Sequence, residues 1–429
     1  MEKMEQFRGE IDQIDGEMAQ LFCRRMDVVK QIGLYKAEHG LPITDPVREA
    51  KVLARTVDTP DTVLNGMYGE FHHSVVELSK RYQKRLRSTE KALPLDLHDG
   101  SCEIIMERGC LCRANELLDL SRRVFIVTDD GVPPEYAQTV ASACAAPRIF
   151  TVAQGEGCKS LQTLSSLLDA MLDHRMTRQD CVVAVGGGAV CDLAGFAASV
   201  FARGIDHYNV PTTLLAQVDA SVGGKTGINF GGIKNAVGTF CQPEIVLIDP
   251  LVLETLPERQ MISGLAEALK IGVTLDPELF TLFERKDPLD HLDEIIRCAV
   301  TQKTRVVSLD ERENGLRRVL NFGHTIGHAI EMTCPELLHG ECVALGMLAM
   351  CSESLYQRLL PIYKKLHLPI VCSIKPRDAA ELIAHDKKRA GADVLAVEVS
   401  DIGQYTIRPI AVDELTGRIS RITKGGIAT

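Results

Sequence analysis

The chain has 429 residues and 14 cysteines, yet no two cysteines form a Cys-x-x-Cys pair. Cys110 and Cys112 are the nearest neighbours and stand too close for zinc-finger spacing, so a module of that kind is excluded. Scattered thiols of this sort suit a reducing compartment. Positive charge is also scarce. The formal net charge of −10 argues against a nucleic-acid partner, because a phosphate backbone rewards an excess of Lys and Arg. Small anionic ligands remain compatible, since a local basic cluster works inside an acidic surface. The start, Met1 to Glu10, has no apolar h-region, so a cytoplasmic protein without a secretory signal is expected. Long hydrophobic runs are nearly missing. Cys181 to Ala202 mimics a membrane span, but Gly186, Gly187, Gly188 and Asp192 inside it suit a buried strand, a turn and a helix. Internal repeats and low-complexity tracts are absent. What is present, 45% apolar and 25% charged residues, is ordinary for a globular chain long enough for two or three domains.

Residues 1 to about 88 read as helix. Phe7, Ile11, Ile14, Met18, Leu21 and Phe22, then Val28, Val29 and Ile32, recur at spacings of three and four. Gly40-Leu41-Pro42 stops this helix. Asp45 and Pro46 open a second as N-cap and first helical residue, and Thr59-Pro60-Asp61 opens a third that runs to about Arg87. So long a first helix leaves an apolar stripe uncovered in a monomer, which predicts a homodimer or a higher homo-oligomer. Periodicity alone suits a dimerisation module.

Residues 89–100 read as a linker, after which the pattern becomes α/β. Val124–Val127, Arg148–Val152, Cys181–Val185 and Ile245–Ile248 are short apolar runs suited to buried parallel strands, and helical stretches such as Ser160–Arg175 alternate with them. From about Pro257 helix dominates.

Three motifs carry chemistry. Leu320 to Glu331 contains His324 and His328 at i and i+4, which share a helix face, and His339 opens the next helical run. Gly264 to Lys270 adds the carboxylate of Glu267 and the ammonium of Lys270. Two imidazoles and one carboxylate with a position left open make the ligand set of a catalytic zinc site. Val185-Gly186-Gly187-Gly188 follows a strand and opens a helix, where backbone N–H groups approach a pyrophosphate; Cys191 stands where the dinucleotide fingerprint has its third glycine. Val222 to Thr226 ends like a P-loop, but Asp219 occupies the position of the required glycine, which leaves a Gly-rich turn carrying Lys225.

Together these motifs resemble the 3-dehydroquinate synthase family, the NAD- and zinc-dependent sugar phosphate cyclases of the shikimate pathway. The matching pieces are Val185–Phe196, Pro211–Asp219, Gly223–Asn235, Gly264–Lys270 and Arg317–His339. The resemblance implies a Rossmann-like NAD-binding α/β domain over 101–256 and a mainly helical metal- and substrate-binding domain over 257–429. It implies zinc (or cobalt) on Glu267, His324 and His339, with His328 beside the metal near the substrate phosphate. Asp219, Lys225, Lys270, Lys303, Arg317 and Asn321 would line the substrate pocket, with Arg203 and Lys387 on phosphate or carboxylate. NAD would meet Asp129, Glu156, Lys159, Gly187, Gly188, Asp192, Thr212, Thr213, Lys225, Lys234 and Asn235. Gly131 stands where the family usually has an adenosine-side asparagine, and Cys191 replaces a glycine. The implied substrate is 3-deoxy-D-arabino-heptulosonate 7-phosphate. Transient oxidation of a ring hydroxyl acidifies the adjacent C–H, phosphate leaves by β-elimination, the ketone is reduced again, and an intramolecular aldol step closes the ring.

Polar residues on the N-terminal helices go beyond dimerisation. Arg25 and Lys36 are eleven residues apart, about 1100° at roughly 100° per residue, and so share a face. Ser79 and Gln83 are i and i+4. With Arg8, Asp15, Gly33, Asp45, Arg48 and Glu49, this set resembles the all-helical chorismate mutases, which implies a three-helix domain over 1–88. Arg8 lies about 100° off the Arg25 face, and the resemblance sends it to a partner subunit's site. Arg8, Arg25 and Arg48 would take the carboxylates of chorismate; Lys36 and Gln83 its ether oxygen; Asp45 and Ser79 complete the pocket. The expectation is a multidomain, bifunctional enzyme. Its alternatives are a synthase with a non-catalytic chorismate- or prephenate-sensing domain, another sugar phosphate cyclase, or a metal-dependent polyol dehydrogenase.

Overall fold

The computed structural model describes residues 2–39, 41, 43, 45–54, 59, 61–87, 92–97, 100–387 and 394–423, and the chain divides into two units, Met1–Ala92 and Leu93–Thr429. Gly40, Pro42 and Pro60, read above as helix punctuation, lie outside the described residues.

The first unit holds helices α1 (Glu2–Glu38), α2 (Pro46–Leu53) and α3 (Thr62–Arg87). Asp45 caps α2, its carboxylate accepting from the Arg48 N–H at 2.9 Å. Asp61 does the same for α3, accepting from Val63 and Leu64 at 2.9 and 3.1 Å. Val29, Val75 and Val76 are buried where α1 meets α3, whereas the apolar stripe from Phe7 to Phe22 is exposed, Leu21 by 64%.

The second unit is built on a seven-stranded sheet. Its strands are β1 (Ala92–Leu97), β2 (Gly100–Met106), β3 (Arg123–Asp129), β4 (Ala146–Val152), β5 (Cys181–Gly186), β6 (Asp206–Pro211) and β9 (Ile245–Ile248), in the order β1-β2-β9-β6-β5-β3-β4. From β2 to β4 every pairing is parallel. Two findings differ from expectation. The stretch read as a linker contains β1, whose Leu95 is fully buried; its six residues are too few for periodicity to separate strand from loop. The Arg148–Val152 run is a parallel strand, but β4 lies at the sheet edge and leaves Ile149 39% exposed. An apolar run signals a strand without saying whether a neighbour covers both its sides.

Helices α4 (Ala114–Leu117), α5 (Pro134–Ser142), α6 (Leu161–Asp173) and α7 (Gly188–Val200) accompany these strands. The hairpin β7 (Lys225–Phe230) and β8 (Ile233–Phe240) forms its own two-stranded ribbon. The apolar run from Cys181 to Ala202 is accounted for by β5, a glycine turn and α7, and no helix among the described residues is long and apolar enough to cross a membrane. Beyond Pro257 come α8 (Glu258–Leu275), α9 (Pro277–Arg285), α10 (Leu292–Leu309), α11 (His324–Thr333), α12 (His339–Met350), α13 (Glu353–Lys365) and α14 (Pro376–Lys387). The antiparallel pair β10 (Val394–Asp401) and β11 (Gln404–Ile410) and helix α15 (Val412–Ser420) follow. Helix α12 is buried from Gly340 to Met350 and serves as the axis of this helical core.

Candidate active sites

Glycines bring three helices unusually close. Gly323 precedes α11 with a φ of +79°, a conformation that favours glycine. Helix α12 lies directly on this turn because residue 346 has no side chain: a Cβ there would stand 1.9 Å from the Gly323 carbonyl oxygen. At Gly340 a Cβ would stand 2.0 Å from the Ser263 carbonyl of α8. Glu267 of α8, His324 of α11 and His339 of α12 therefore converge, with one ligand atom from each within 4.8 Å of the others.

Glu267 is fully buried, and neither carboxylate oxygen completes a hydrogen bond, although Lys270 Nζ lies 2.5 Å from Oε2. His324 Nε2 and His339 Nε2 lie 3.6 and 3.5 Å from Glu267 Oε1. Ligands on a tetrahedral zinc with bonds of ~2.0–2.1 Å stand about 3.3 Å apart, so this spacing matches within a few tenths of an ångström. Both imidazoles have Nδ1 engaged elsewhere, His324 with the Phe322 carbonyl at 3.2 Å and His339 with Glu331 at 3.3 Å. Each Nε2 is thereby turned toward Glu267, as metal ligation requires. Burial and then Lys270 push His324 down to about 3, which keeps that ring neutral. Burial opposes charge on His339, yet Glu267 and Glu331 push it up to about 10. The carboxylates draw positive charge to this spot, and the donor set fits zinc or cobalt. His328 sits one turn along α11, its ring 5.4 Å from that of His324.

A cavity of about 1040 Å³ opens over these residues and runs to the sheet. Its metal end is lined by Asp219, Lys225, Lys270, Lys303, Arg317, Asn321 and His328. Lys303 Nζ pairs with the Asp219 carboxylate, and Arg317 Nη2 donates to the Gly223 carbonyl at 2.9 Å. Burial pushes Lys303 down to about 8, with Asp219 opposing and Arg317 adding to the push. Against its own burial, Asp219 is held at about 2 by Lys303 and Lys270. Burial and the neighbouring cations Arg317 and Lys270 together disfavour charge on Lys303, and an anionic ligand would offset both.

The other end lies beyond the carboxyl ends of β3, β5 and β6, where the strand order reverses. That crevice is where open parallel sheets bind nucleotides. Asp129, Gly187, Gly188, Asp192, Thr212, Thr213, Lys234 and Asn235 line it, together with Glu156 and Lys159. A Cβ on Gly188 would stand 2.9 Å from the Ala220 side chain, so glycine keeps this wall thin. Lys159 is buried, 2.7 Å from Asp192 and 3.2 Å from Glu156, and touches Asn235. Above Gly131 the space that a side chain would fill is taken by the Gln154 amide, 2.2 Å from an ideal Cβ. Cys191 is buried within α7.

Two assigned residues do not join this cavity. Arg203 is exposed beyond the end of α7 with a φ of +70°, and it does not line the cavity. Lys387 ends α14, and its side chain lies outside the described residues. Two charged lining residues escaped the sequence reading. Glu313, in a turn with a φ of +59°, contacts Lys225 and lies 2.5 Å from the Asn321 amide nitrogen; an irregular loop offered no periodic signal. Glu331 falls three residues after His328 and seven after His324, a spacing that was readable.

In the first unit Arg25 reaches from α1 to α3, touching Ser79 Oγ and donating to the Val75 carbonyl at 3.4 Å. Lys36 donates to the Ile43 carbonyl at 2.6 Å. Gln83 is buried, its Nε2 donating to Ser79 O at 3.4 Å while Oε1 has no hydrogen-bond partner. An orphaned buried acceptor of this kind awaits a donor. Arg25 and Ser79 thus meet between α1 and α3 with Gln83 buried one turn on, Lys36 reaches the segment after α1, and Arg8, Asp45 and Arg48 are exposed.

Comparison with known proteins matches both units. Residues 149–263 fit the family model of the 3-dehydroquinate synthase N-terminal region, 264–389 that of the C-terminal region, and 7–84 that of type II chorismate mutase. A 3-dehydroquinate synthase of Streptococcus pneumoniae is 39% identical over 345 residues, 75% of this chain and 97% of that protein. Among solved structures, a 2-deoxy-scyllo-inosose synthase complexed with carbaglucose-6-phosphate, NAD+ and Co2+ superposes with a TM-score of 0.70 at 25% identity, covering 76% of this chain and 99% of that one. The 2-epi-5-epi-valiolone synthase of Streptomyces hygroscopicus, with NAD+ and Zn2+ bound, gives 0.68 at 29% identity, covering 77% and 97%.

Proposed function

The chain belongs to the 3-dehydroquinate synthase family and carries a type II chorismate mutase domain ahead of it, and from that premise we propose that one polypeptide runs both reactions. Residues 101–429 act as a carbon–oxygen lyase, converting 3-deoxy-D-arabino-heptulosonate 7-phosphate to 3-dehydroquinate and phosphate, with 101–256 holding NAD and 257–429 the metal. Residues 1–88 act as an isomerase, converting chorismate to prephenate. The observation that carries the reading is one continuous cavity joining the Glu267–His324–His339 set, a surplus of buried cations and the nucleotide crevice.

NAD would supply reversible hydride transfer with no net redox change, and a zinc or cobalt ion held by Glu267, His324 and His339 would supply Lewis acidity to the oxygen on the carbon being oxidised. This chain's residues do the rest. Lys225, Lys303 and Arg317 hold the substrate's anionic groups and offset the charge that grows at the enolate stage. Lys303 is kept in register by Asp219, and Lys270 by Glu267. Asn321 offers an amide to a ring hydroxyl. His328, at the cavity wall beside the metal set, is placed to move a proton near the departing phosphate. Lys159 and Asp192 fix the wall against which NAD lies, and Lys234 and Asn235 reach it from the β7–β8 hairpin.

The mutase reaction is intramolecular and needs no nucleophile, so its residues work by holding the reactive conformer. Arg25 and Arg48 bind carboxylates; Lys36 and Gln83 stabilise the ether oxygen. Arg8 precedes Arg25 by seventeen residues of one helix, about 25 Å at 1.5 Å per residue, so it serves only the site of a second copy. The exposed apolar stripe of α1 supports the homodimer this requires. A cytoplasmic enzyme acting on small anionic substrates accords with the whole reading.

Assaying both reactions on one pure sample tests it. Phosphate release is expected to need catalytic NAD, to leave no NADH behind and to stop after chelation, while chorismate consumption continues. Stoichiometric NADH would establish a dehydrogenase instead, and prephenate binding without chorismate turnover would reduce the first unit to a sensor.

A further inference from the structure

Helix α11 presents three polar side chains to the cleft, and the synthase reading gives work to two of them, His324 and His328. The third, Glu331, stands outside the Glu267–His324–His339 set. One of its oxygens lies 3.3 Å from His339 Nδ1 and the other 2.8 Å from Lys234 Nζ. We propose that Glu331 is a positioning residue that locks His339 as a metal ligand and ties it to the cofactor-side lysine. This rests on the cation-site reading above and extends it to a residue outside the ligand set.

The two histidine ligands are oriented by different means. His324 has its Nδ1 held by the carbonyl of Phe322, two residues away in its own chain, so local backbone sets its tautomer. His339 is the first residue of α12, and Glu331 is the one Nδ1 partner it has among the described residues. A carboxylate accepting the Nδ1–H leaves the lone pair on Nε2, which lies 3.5 Å from Glu267 Oε1. This is the outer-shell arrangement that fixes ring orientation and raises ligand basicity.

Lys234 supplies the second half of the argument. It stands on β8, a strand exposed along its whole length, and Glu331 is its one ion-pair partner among the described residues. The hairpin that reaches NAD is therefore tied to the metal helix through the Glu331 carboxylate. His328, Glu331 and His339 also lie close enough to suggest a second cation triad. One fact weighs against that use: Lys234 already neutralises Glu331.

The test uses the full chain and its Glu331→Gln, Glu331→Ala and Lys234→Met variants. Zinc affinity is read by competition with a chromogenic chelator, ligand geometry by the visible spectrum of the Co2+ form, and NAD affinity by direct titration. The wild type is expected to bind one zinc per chain. Glu331→Ala should weaken zinc by about 10–100-fold and alter the Co2+ bands. Glu331→Gln retains an acceptor and should fall between the two. Lys234→Met should keep the Co2+ spectrum but weaken NAD, and adding Glu331→Ala to it should weaken NAD no further. Wild-type zinc affinity with an unchanged Co2+ spectrum in Glu331→Ala would overturn the proposal while leaving the ligand set intact. Should Glu331→Ala fail to fold, unchanged zinc affinity and spectrum in the near-isosteric Glu331→Gln, together with unaltered NAD binding in Lys234→Met, would overturn it equally. A wild type that binds no metal would remove the cation-site reading and this proposal together. Two zinc ions per chain, one lost with Glu331, would make Glu331 a ligand and not a positioning residue.

Discussion

Replacing Gly346 by alanine adds one methyl group about two turns into α12, away from every ligand, yet it should disable the metal site. The new Cβ would stand 1.9 Å from the Gly323 carbonyl oxygen and 3.0 Å from Gly323 Cα. Non-bonded heavy atoms settle at about 3.5–4.0 Å, so α11 and α12 must part by roughly 1.5 Å at this crossing. Both contacting atoms are backbone, and no side chain can swing aside to absorb the strain. Gly323 immediately precedes His324, so the displacement passes to a ligand. Metal sites tolerate about ±0.2 Å in ligand distance, and a shift several times larger leaves Glu267 and His339 without their third member. Overpacking of this kind costs about 1–3 kcal/mol, which in a unit of this size lowers the melting temperature by roughly 1–4 °C without abolishing the fold. The expected result is zinc lost on gel filtration and cyclase turnover down by about 100-fold or more, with chorismate consumption at its normal rate as internal control. Full zinc content and wild-type cyclase activity in Gly346→Ala would refute the claim that this close crossing positions the ligands.

Other perturbations separate the two sites. Glu267→Ala should abolish metal binding and cyclase activity and spare the mutase; it also strands Lys270, 1% exposed, without its nearest counter-charge, at about 3–5 kcal/mol, and retained zinc by atomic spectroscopy would count against the ligand assignment. Lys36→Ala should eliminate chorismate consumption alone, and an unchanged rate would remove Lys36 from the mutase site. Lys303 is held at about 8, so it loses charge as pH rises through that value; a bound anion raises its pKa, so binding near pH 8 should take up a proton and weaken at higher pH. Calorimetry of substrate binding in buffers of differing ionisation heat reads the sign, and proton release would contradict this account.

The residues themselves fixed more of this protein than its contacts did. Apolar spacing of three and four set the N-terminal helices, and Asp45 and Asp61 marked two of their starts because a carboxylate there satisfies free backbone N–H groups. The spacing of His324 and His328, the Gly186–Gly188 turn and the short apolar strands were equally local, since each depends on the geometry of one element. Long-range facts were not legible. The edge position of β4, the strand within the supposed linker and the exposure of Arg203 depend on which neighbour covers which surface, and periodicity carries no such information. Glu313 entered the cavity through an irregular turn, and Glu331 acquired a partner on either side only when α12 and the β7–β8 hairpin closed around it. The sequence thus determined which side chains could bind a metal, a nucleotide and anions. Tertiary structure alone decided that they meet in one cavity, because the bare faces of Gly340 and Gly346 let three helix backbones touch.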